Sequence, residues 1–377
     1  MVRMTKSKRD RVNVLRESLE AYLASVFGED VDVVYVGELG AEAKGKRDEG
    51  DLKGFGYGTP YLIVTNVGGQ TRKIVLETMR TTGGFGHDCF SDRAGVLLWQ
   101  YSAFNKLPRH VRSVDVGAFT RKQGLKSLGD CEEFFIVTEF VEGVLYHEDL
   151  DRLKVYKQAS PLDLERCSAL SNYLARIHKT KGDNSELYVR RIRDLVGHGE
   201  CIMGLVDSYP PRLHYISEKD LEEIEKRCVE WRWKLKAFTH RLAQVHGDYH
   251  PWNILFHKDI NFTVLDRSRG EWGEPADDIS SLTINYLFYS LQAFGQVAKP
   301  FETLFSLFWK NYLDKTGDEE ILSVIQPFYV WRSLVVASPI WYPNLPEQVR
   351  AKLFNFIRNM LETEKLDLKH ISSYFEP

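Results

Sequence analysis

Residues 245–280 read VHGDYHPWNILFHKDINFTVLDRSRGEWGEPADDIS, and this stretch decides how the chain is organised. Two short apolar runs on either side of a polar turn predict a β-hairpin. Asp248 and Asn253 precede the first run, and Asp266 follows the second. The hairpin therefore predicts that three oxygen-bearing side chains lie in one place.

The three side chains suit a site for a hard cation. Mg²⁺ prefers oxygen ligands and usually takes one or two carboxylates, with phosphate and water completing its octahedron. If Asp266 and Asn253 hold Mg²⁺, Asp248 remains free to accept a proton from a hydroxyl. The alternative is a hairpin with polar caps, since Asp and Asn favour turns. The number of elements in the right order favours the metal site.

The pattern H-G-D-x-x-x-x-N, with an apolar run and a second Asp after it, resembles the catalytic loop of the aminoglycoside phosphotransferase and choline kinase family. That family is related to the protein kinases, whose H-R-D-x-x-x-x-N loop and metal-binding Asp do the same work. The resemblance continues through Gly273-Glu274-Pro275. It implies catalysis by Asp248, Mg²⁺ binding by Asn253 and Asp266, and structural support of the loop by His246 and Asp278.

The composition is that of an ordinary globular protein, with 43% hydrophobic and 27% charged residues among 377. A net charge of −3 argues against a nucleic-acid partner, which would favour a basic excess. Five widely spaced cysteines without a C-x-x-C pair indicate reduced thiols in the cytoplasm. The sequence contains no apolar run of membrane-spanning length and no signal-peptide core, so we expect no membrane association.

Strand patterns precede helical patterns along the chain. The predicted strands are Val31–Gly37, Tyr61–Asn66, Lys73–Met79 and Phe134–Gly143. From residue 149 onward apolar residues recur at helical spacing. Together with the resemblance, these patterns predict an α+β, bilobal, protein-kinase-like fold. We expect a small antiparallel-sheet N-lobe at 1–142 and a larger, mainly helical C-lobe at 143–377 that carries the catalytic loop.

The resemblance implies that ATP binds to the N-lobe and the hinge. Adenine contacts would fall on the main chain of Glu139 and Val141. Strand alternation places Val75 and Glu77 on one face, where the nucleotide would lie. The glycine-rich stretch between residues 37 and 58 is either a phosphate-covering loop or a flexible hairpin connection.

Glu77 is the main departure from the family pattern. It occupies the position at which the family has a Lys or Arg that holds the α- and β-phosphates, and a carboxylate there would repel phosphate. Arg80 can replace that cation only if the strand bends. We also predict that Glu77 pairs with Arg93, a charge-swapped version of the family's ion pair.

Arg267 and Arg269 follow the metal-binding Asp and are candidates for phosphate or acceptor contacts. The alternative for both is surface pairing with Glu271 or Glu274. An amine-bearing acceptor would need clustered acids, for which the candidates are Glu148, Asp149, Asp151, Glu271 and Glu274. Distal aromatic residues could wall a sugar or an apolar acceptor, although core packing is the better interpretation of Tyr286, Phe288, Tyr289, Trp331, Trp341 and Tyr342.

The predicted function is ATP-dependent transfer of the γ-phosphate to a hydroxyl of an amino sugar, sugar or amino alcohol. The partners are a nucleotide and a small-molecule acceptor, and the sequence indicates no oligomeric state. The alternative is a kinase-like protein that binds nucleotide with weak or no catalysis, motivated by Glu77. A protein kinase ranks last, because no A-P-E segment follows Asp266.

Overall fold

The computed structural model describes residues 2–3, 13–14, 16–39, 58–79, 86–122 and 124–377. The chain divides into two compact units, Met1–Thr138 and Glu139–Pro377. Each unit has its own hydrophobic core. The boundary predicted after residue 142 remains a prediction. Most of the glycine-rich stretch, 40–57, and Arg80 lie outside the described residues.

The first unit is built on a small antiparallel sheet. The strands of that sheet, in the order β3-β4-β5, are hydrogen-bonded neighbours. Leu19 and Leu23 of helix α1 pack against Val33, Tyr61 and Ile63 of the sheet to form the core. The described elements are β1 (Val2–Arg3), β2 (Asn13–Val14), α1 (Arg16–Phe27), β3 (Val31–Glu38), β4 (Gly58–Val67), β5 (Gln70–Met79), α2 (Phe90–Phe104), β6 (Gly117–Phe119) and β7 (Leu125–Ser127).

A two-residue turn joins β4 to β5. Gly68 and Gly69 both have positive φ, +54° and +82°, while Val67 pairs with Gln70. Two successive residues of positive φ form the turn whose twist matches that of the flanking strands. Only glycine adopts this backbone without strain, so the turn fixes the register of the hairpin. This register leaves Val75 and Glu77 exposed on β5.

The strand predicted at Phe134–Gly143 is wrong. Residues 131–143 are irregular and belong to none of the sheets among the described residues. Phe135, Ile136 and Val137 are more than 80% exposed. High β-propensity does not make a strand without a neighbour to accept its backbone hydrogen bonds. Glu139 and Val141 therefore lie on irregular backbone.

The ion pair predicted between Glu77 and Arg93 is also wrong. Nη1 of Arg93 donates instead to the carbonyl oxygens of His87 and Asp88, at 2.6 and 2.8 Å. Within the described residues, no ion pair joins Glu77 to a cation. The guanidinium of Arg93 closes the N-terminal turn of α2 rather than neutralising the strand.

The second unit is mainly helical and carries two small sheets, β11-β10-β8 and β12-β9. The predicted α+β fold, a small antiparallel sheet followed by a larger helical part, is confirmed. The elements are β8 (Val144–Leu145), α3 (Tyr146–Tyr156), α4 (Pro161–Ile177), α5 (Ser185–Gly197), α6 (Ile202–Ser208), α7 (Glu218–Leu235), β9 (Ala243–Gln244), β10 (Ile254–Phe256), β11 (Phe262–Val264), β12 (Trp272–Gly273), α8 (Pro275–Phe294), α9 (Phe301–Thr316), α10 (Gln326–Ala337) and α11 (Glu347–Glu362).

Helix α8 is the centre of this unit. Almost every residue from its start to Leu291 is buried, on all sides of the helix. A helix that is buried all round lies inside a core, and here α3, α9 and α10 pack around it. No helix in the described part of the chain is long and apolar enough to span a bilayer. The burial of α8 gives its first turn a fixed position.

A buried ion network holds the start of α8. Arg241, 4% exposed, binds Glu274, the N-cap of the helix, through Nε at 3.0 Å and Nη2 at 2.8 Å. The same guanidinium donates to Asp318 at 2.7 Å and to Glu320 at 3.1 Å. Tyr188 donates its hydroxyl to Glu274 at 3.0 Å. Because Glu274 is bound on all sides, it offers no surface for an acceptor.

Replacing Glu274 by alanine should lower the free energy of unfolding of the second unit by about 3 kcal/mol. That figure is at the low end for a broken buried ion pair, because Asp318 and Glu320 still neutralise part of Arg241. Urea unfolding followed by circular dichroism measures the change. The exposed Glu319→Ala, with no side-chain partner in the described structure, should shift it by less than about 0.5 kcal/mol. Equal losses in the two variants would contradict the assignment.

Candidate active site

The predicted hairpin forms and brings two of the predicted ligands to one end. Strands β10 and β11 pair antiparallel, with Ile254 opposite Val264. Beyond this pair, the Leu265 amide donates to the carbonyl of Asn253 at 2.8 Å. Asn253 ends the short 3-10 turn before β10, and Asp266 follows Leu265. The two oxygen-bearing side chains therefore start from neighbouring points of the backbone.

The backbone before Asp248 is held by Asp278, in the first turn of α8. The carboxylate accepts the amide hydrogen of His246 at 2.8 Å and that of Gly247 at 2.7 Å. Nε2 of His178 lies 3.1 Å from the same carboxylate. Burial opposes ionisation of Asp278, but these hydrogen bonds hold its pKa below the ordinary value. Asp278 therefore anchors the loop as a buried anion.

Gly247 and His246 shape the loop between this anchor and Asp248. Gly247 has a φ of +89°, which a side chain rarely adopts. Nδ1 of His246 accepts the amide hydrogen of Asp248 at 3.3 Å. Burial lowers the pKa of His246, which keeps the ring neutral and able to accept that bond. His246 thus lies where a support of the loop would lie.

Asp248 is a partly buried carboxylate between cations. Nη1 of Arg332 donates to its Oδ1 at 2.7 Å, and Nε of Arg269 lies 3.9 Å from the same oxygen. Nε2 of His250 is 3.4 Å from Oδ2. Burial favours the neutral acid, but His250, Arg332 and Arg269 outweigh it and lower the pKa of Asp248. Asp248 is therefore ionised at neutral pH.

Asn253 and Asp266 fit a Mg²⁺ site. The amide nitrogen of Asn253 donates to the carbonyl of Asp248 at 3.1 Å, and no described residue donates to its amide oxygen. The Asp266 carboxylate is exposed and likewise receives no hydrogen bond from the described residues. Both groups offer hard oxygen atoms, which Mg²⁺ requires. In the part of the chain that the structure describes, no group of three or more His, Cys, Asp or Glu side chains is placed to hold a metal ion.

Asp266 has two further features of a functional position. Its φ is +50°, a left-handed conformation that Asp tolerates better than most residues and that is often found at functional sites. It also lies on a recess of about 280 Å³. The residues around the recess are Tyr173, Ile177, Gln244, Val245, His246, Val264, Leu265, Asp266 and Arg267.

The guanidinium groups of Arg267 and Arg269 have different partners. The Arg267 guanidinium donates to the carbonyl of Val245, at 3.0 and 2.7 Å, and to that of Glu271 at 3.1 Å. It therefore serves the backbone, and the alternative of side-chain pairing with Glu271 or Glu274 is wrong. Arg269 is directed at Asp248 and at the ring of Trp331, whose centroid is 4.7 Å from its guanidinium.

The candidate acids for an amine are mostly engaged within the chain. Asp149 pairs with Arg166, and Asp151 lies 3.0 Å from Lys154. Among the candidate aromatics, Tyr286, Phe288, Tyr289 and Trp331 are buried, as core packing predicts, whereas Trp341 is 65% exposed. Of the nucleotide-binding candidates, Val75 and Glu77 belong to the first unit and Glu139 and Val141 to the second.

Two further residues of the site, Arg332 and Asp277, were not predicted from the sequence. Arg332, from α10, is 6% exposed and donates to Asp248, to the Gly247 carbonyl at 3.1 Å and to Asp277 at 2.6 Å. A lone cation within an apolar helix is a signal of a buried partner, because an unpaired buried charge is costly. That signal does not identify the partner, which lies 84 residues earlier in the chain.

Solved structures of kinases resemble the chain at low sequence identity. A glucosamine kinase in complex with glucosamine, ADP and inorganic phosphate is 17% identical, with 60% of this chain and 56% of that chain covered and a TM-score of 0.30. An amicoumacin kinase with AMP-PNP, Ca²⁺ and Ami is 15% identical, with coverages of 85% and 90% and a TM-score of 0.41. A Plasmodium vivax ethanolamine kinase is 14% identical, with 89% of this chain and 84% of that chain covered and a TM-score of 0.34.

The chain thus spans little more than half of the length of the glucosamine kinase. No curated protein matches the chain significantly. The family comparison is more direct, because it covers the loop, the hairpin and the whole of α8. Residues 112–296 match the model of the phosphotransferase enzyme family, which confirms the resemblance predicted from the His246–Asp278 segment.

Proposed function

We propose that the protein is an ATP-dependent phosphotransferase that transfers the γ-phosphate to a hydroxyl of a small molecule. One observation carries this proposal. The ionised Asp248 ends a loop that Asp278 fixes, and Asn253 and Asp266 begin from neighbouring backbone at one end of the hairpin. The family match of residues 112–296 supports phosphoryl transfer as the reaction.

Asp248 would act on the acceptor hydroxyl. The hydroxyl donates a hydrogen bond to the carboxylate, and its oxygen forms a bond to the γ-phosphorus while the bond to the bridging oxygen breaks. ADP leaves, and Asp248 takes the proton before releasing it to water. A carboxylate of lowered pKa is a weak base, so orientation of the hydroxyl is its larger contribution. Phosphoryl transfer proceeds through a loose transition state that depends on positioning.

The metal site is inferred from the oxygen atoms of Asn253 and Asp266 that accept no hydrogen bond from the described residues. Asp266 and Asn253 would hold Mg²⁺, which when bound offsets the negative charge of the donor phosphates. Asn253 is well placed for this, since its amide nitrogen is already engaged by the Asp248 carbonyl. The side chain is thereby turned so that only its oxygen is available.

The remaining assignments are inferences from the family pattern. Adenine would contact the backbone of Glu139 and Val141, and the nucleotide would lie against Val75 and Glu77, with Arg80 as the candidate cation. The acceptor would be an amino sugar, a sugar, an amino alcohol or another small alcohol. All five cysteines are free thiols, which supports a cytoplasmic location.

One observation favours a second function, nucleotide binding with weak or no catalysis. Glu77 is exposed on β5, and within the described residues it has no cationic partner. A carboxylate beside a triphosphate weakens binding unless a cation intervenes. Turnover separates the two functions, because only the first requires Asp248 to touch a reacting hydroxyl.

Asp248→Asn should lower ATP consumption by about 100-fold or more, because a neutral amide orients the hydroxyl less firmly than the carboxylate and cannot accept the proton. The measurement is ADP formation with Mg²⁺ and ATP over panels of amino sugars, sugars, amino alcohols and nucleosides. Asp266→Ala should remove the dependence on Mg²⁺ together with the activity. Nucleotide binding that needs neither Mg²⁺ nor Asp266 would instead support the second function.

A matched control exists on the same hairpin. Asp259→Asn makes the same chemical change at an exposed turn position with a φ of +50°, which Asn also adopts. It should retain ADP formation within about twofold, as expected for a surface change away from the site. Equal turnover in the wild type and in Asp248→Asn would remove the catalytic assignment.

Arg332→Gln should move the acidic limb of the pH profile of kcat/KM to higher pH. Arg332 favours the ionised form of Asp248, so removing its charge raises the pKa of that carboxyl toward its ordinary value of 3.8. Activity is then lost at a higher pH as the solution is acidified. Initial rates from pH 3 to 9 measure the shift.

The conservative variant Arg332→Lys keeps the charge and should leave the acidic limb closer to that of the wild type. Thermal unfolding of both variants reports whether the buried site tolerates the change. A folded Arg332→Gln protein with the acidic limb of the wild type would show that Arg332 does not set the ionisation of Asp248.

A further inference from the structure

Two guanidinium groups lie against one indole ring beside Asp248. The centroid of the Trp331 ring is 3.7 Å from the guanidinium carbon of Arg332 and 4.7 Å from that of Arg269. Both terminal nitrogens of Arg332 are engaged, because they donate to Asp248, Asp277 and the Gly247 carbonyl, and only its buried Nε has no partner. Its charge is therefore not available to a ligand.

Arg269 is not committed in this way. Its Nε lies 3.9 Å from Asp248 and its Nη1 lies 3.6 Å from Glu200, and both distances exceed a hydrogen bond. Its one hydrogen bond within the described residues is a long contact to the sulfur of Cys201, at 3.8 Å. Nε is buried and has no partner. A guanidinium with five donors thus retains most of them for another molecule.

Most of the acids considered for an amine acceptor are engaged by cations of the chain itself. Three of the five candidate acids are neutralised within the chain: Asp149 by Arg166, Asp151 by Lys154, and Glu274 by Arg241. A cationic acceptor at Asp248 would also meet the charge of Arg269. Like charges at this range repel, and the partial burial of the site strengthens the repulsion.

We propose that the acceptor carries an anionic group, a carboxylate or a phosphate monoester, that binds Arg269 while its hydroxyl meets Asp248. This inference rests on the proposed function, since it assigns the acceptor of that reaction. The planar guanidinium matches the two oxygen atoms of such an anion, and the Trp331 ring restricts its orientation. Arg269 is then a residue that determines acceptor specificity.

The test compares acceptors that share a scaffold and differ in charge. One set is D-glucose, D-glucuronate, D-glucose 6-phosphate and D-glucosamine, and the other is glycerol, glycerate, glycerol 3-phosphate and 3-amino-1,2-propanediol. The value of kcat/KM for ADP formation should be at least about tenfold higher for an anionic member than for its neutral partner. The carboxylate and phosphate members show which anion is preferred.

Arg269→Gln should lower the ratio of anionic to neutral kcat/KM by about tenfold or more, whatever it does to the absolute rate. Arg267→Gln is the matched control, because its guanidinium serves backbone carbonyls. The ratio for that variant should stay within about twofold of the wild-type ratio. An anion preference that survives Arg269→Gln, or a preference for the amines, would overturn the inference while the proposed function stands.

Absence of ADP with every acceptor would instead count against the proposed function. Calorimetric binding of D-glucuronate and glycerol 3-phosphate to wild type and Arg269→Gln then decides the inference separately. Binding that Arg269→Gln weakens supports an anion site at Arg269. Lack of binding to the wild type, or equal binding to both proteins, overturns it.

Discussion

The site depends on one buried anion, the carboxylate of Asp278. A charge without solvent access is costly unless hydrogen bonds replace the water, and here two backbone amides and His178 do so. The first turn of a helix also favours a negative charge. Because α8 is enclosed by the core of its unit, these bonds connect the loop to a helix that is buried on all sides. The left-handed Gly247 is what allows both of the consecutive amides to reach the carboxylate.

A second ion pair sets the charge of Asp248. Arg332 lies between Asp248 and Asp277, so a single cation serves two carboxylates, and Arg269 supplies the second positive charge nearby. The four groups are balanced in formal charge. A lone carboxylate next to a phosphate would cost about 4 kcal/mol at 4 Å for each pair of unit charges in a medium of intermediate polarity. Arginines that share the charge of Asp248 reduce this repulsion, at the expense of its basicity.

The local part of the site was predictable, and the long-range part was not. Apolar runs separated by a turn predicted the β10–β11 hairpin, since register follows from a pattern of a few residues. Arg332 reaches Asp248 from 84 residues away, and no spacing rule connects them. The strand predicted at Phe134–Gly143 was wrong for a related reason. A strand needs a neighbouring strand to pair with, and the local sequence does not show whether one is present. The partners of Arg267 were equally unpredictable, because the sequence does not show whether a guanidinium binds backbone carbonyls or a ligand.

The cation that would bind the phosphates of the nucleotide is not identified by the described contacts. Arg267 is bound to backbone carbonyls, and Arg269 lies beside Trp331 and Asp248, so the described contacts assign neither arginine to a nucleotide phosphate. Lys73 shares the exposed face of β5 with Glu77, but four residues of strand separate them by roughly 13 Å. Under the proposed function, we expect Mg²⁺ held by Asn253 and Asp266 to supply most of the positive charge that the donor phosphates need.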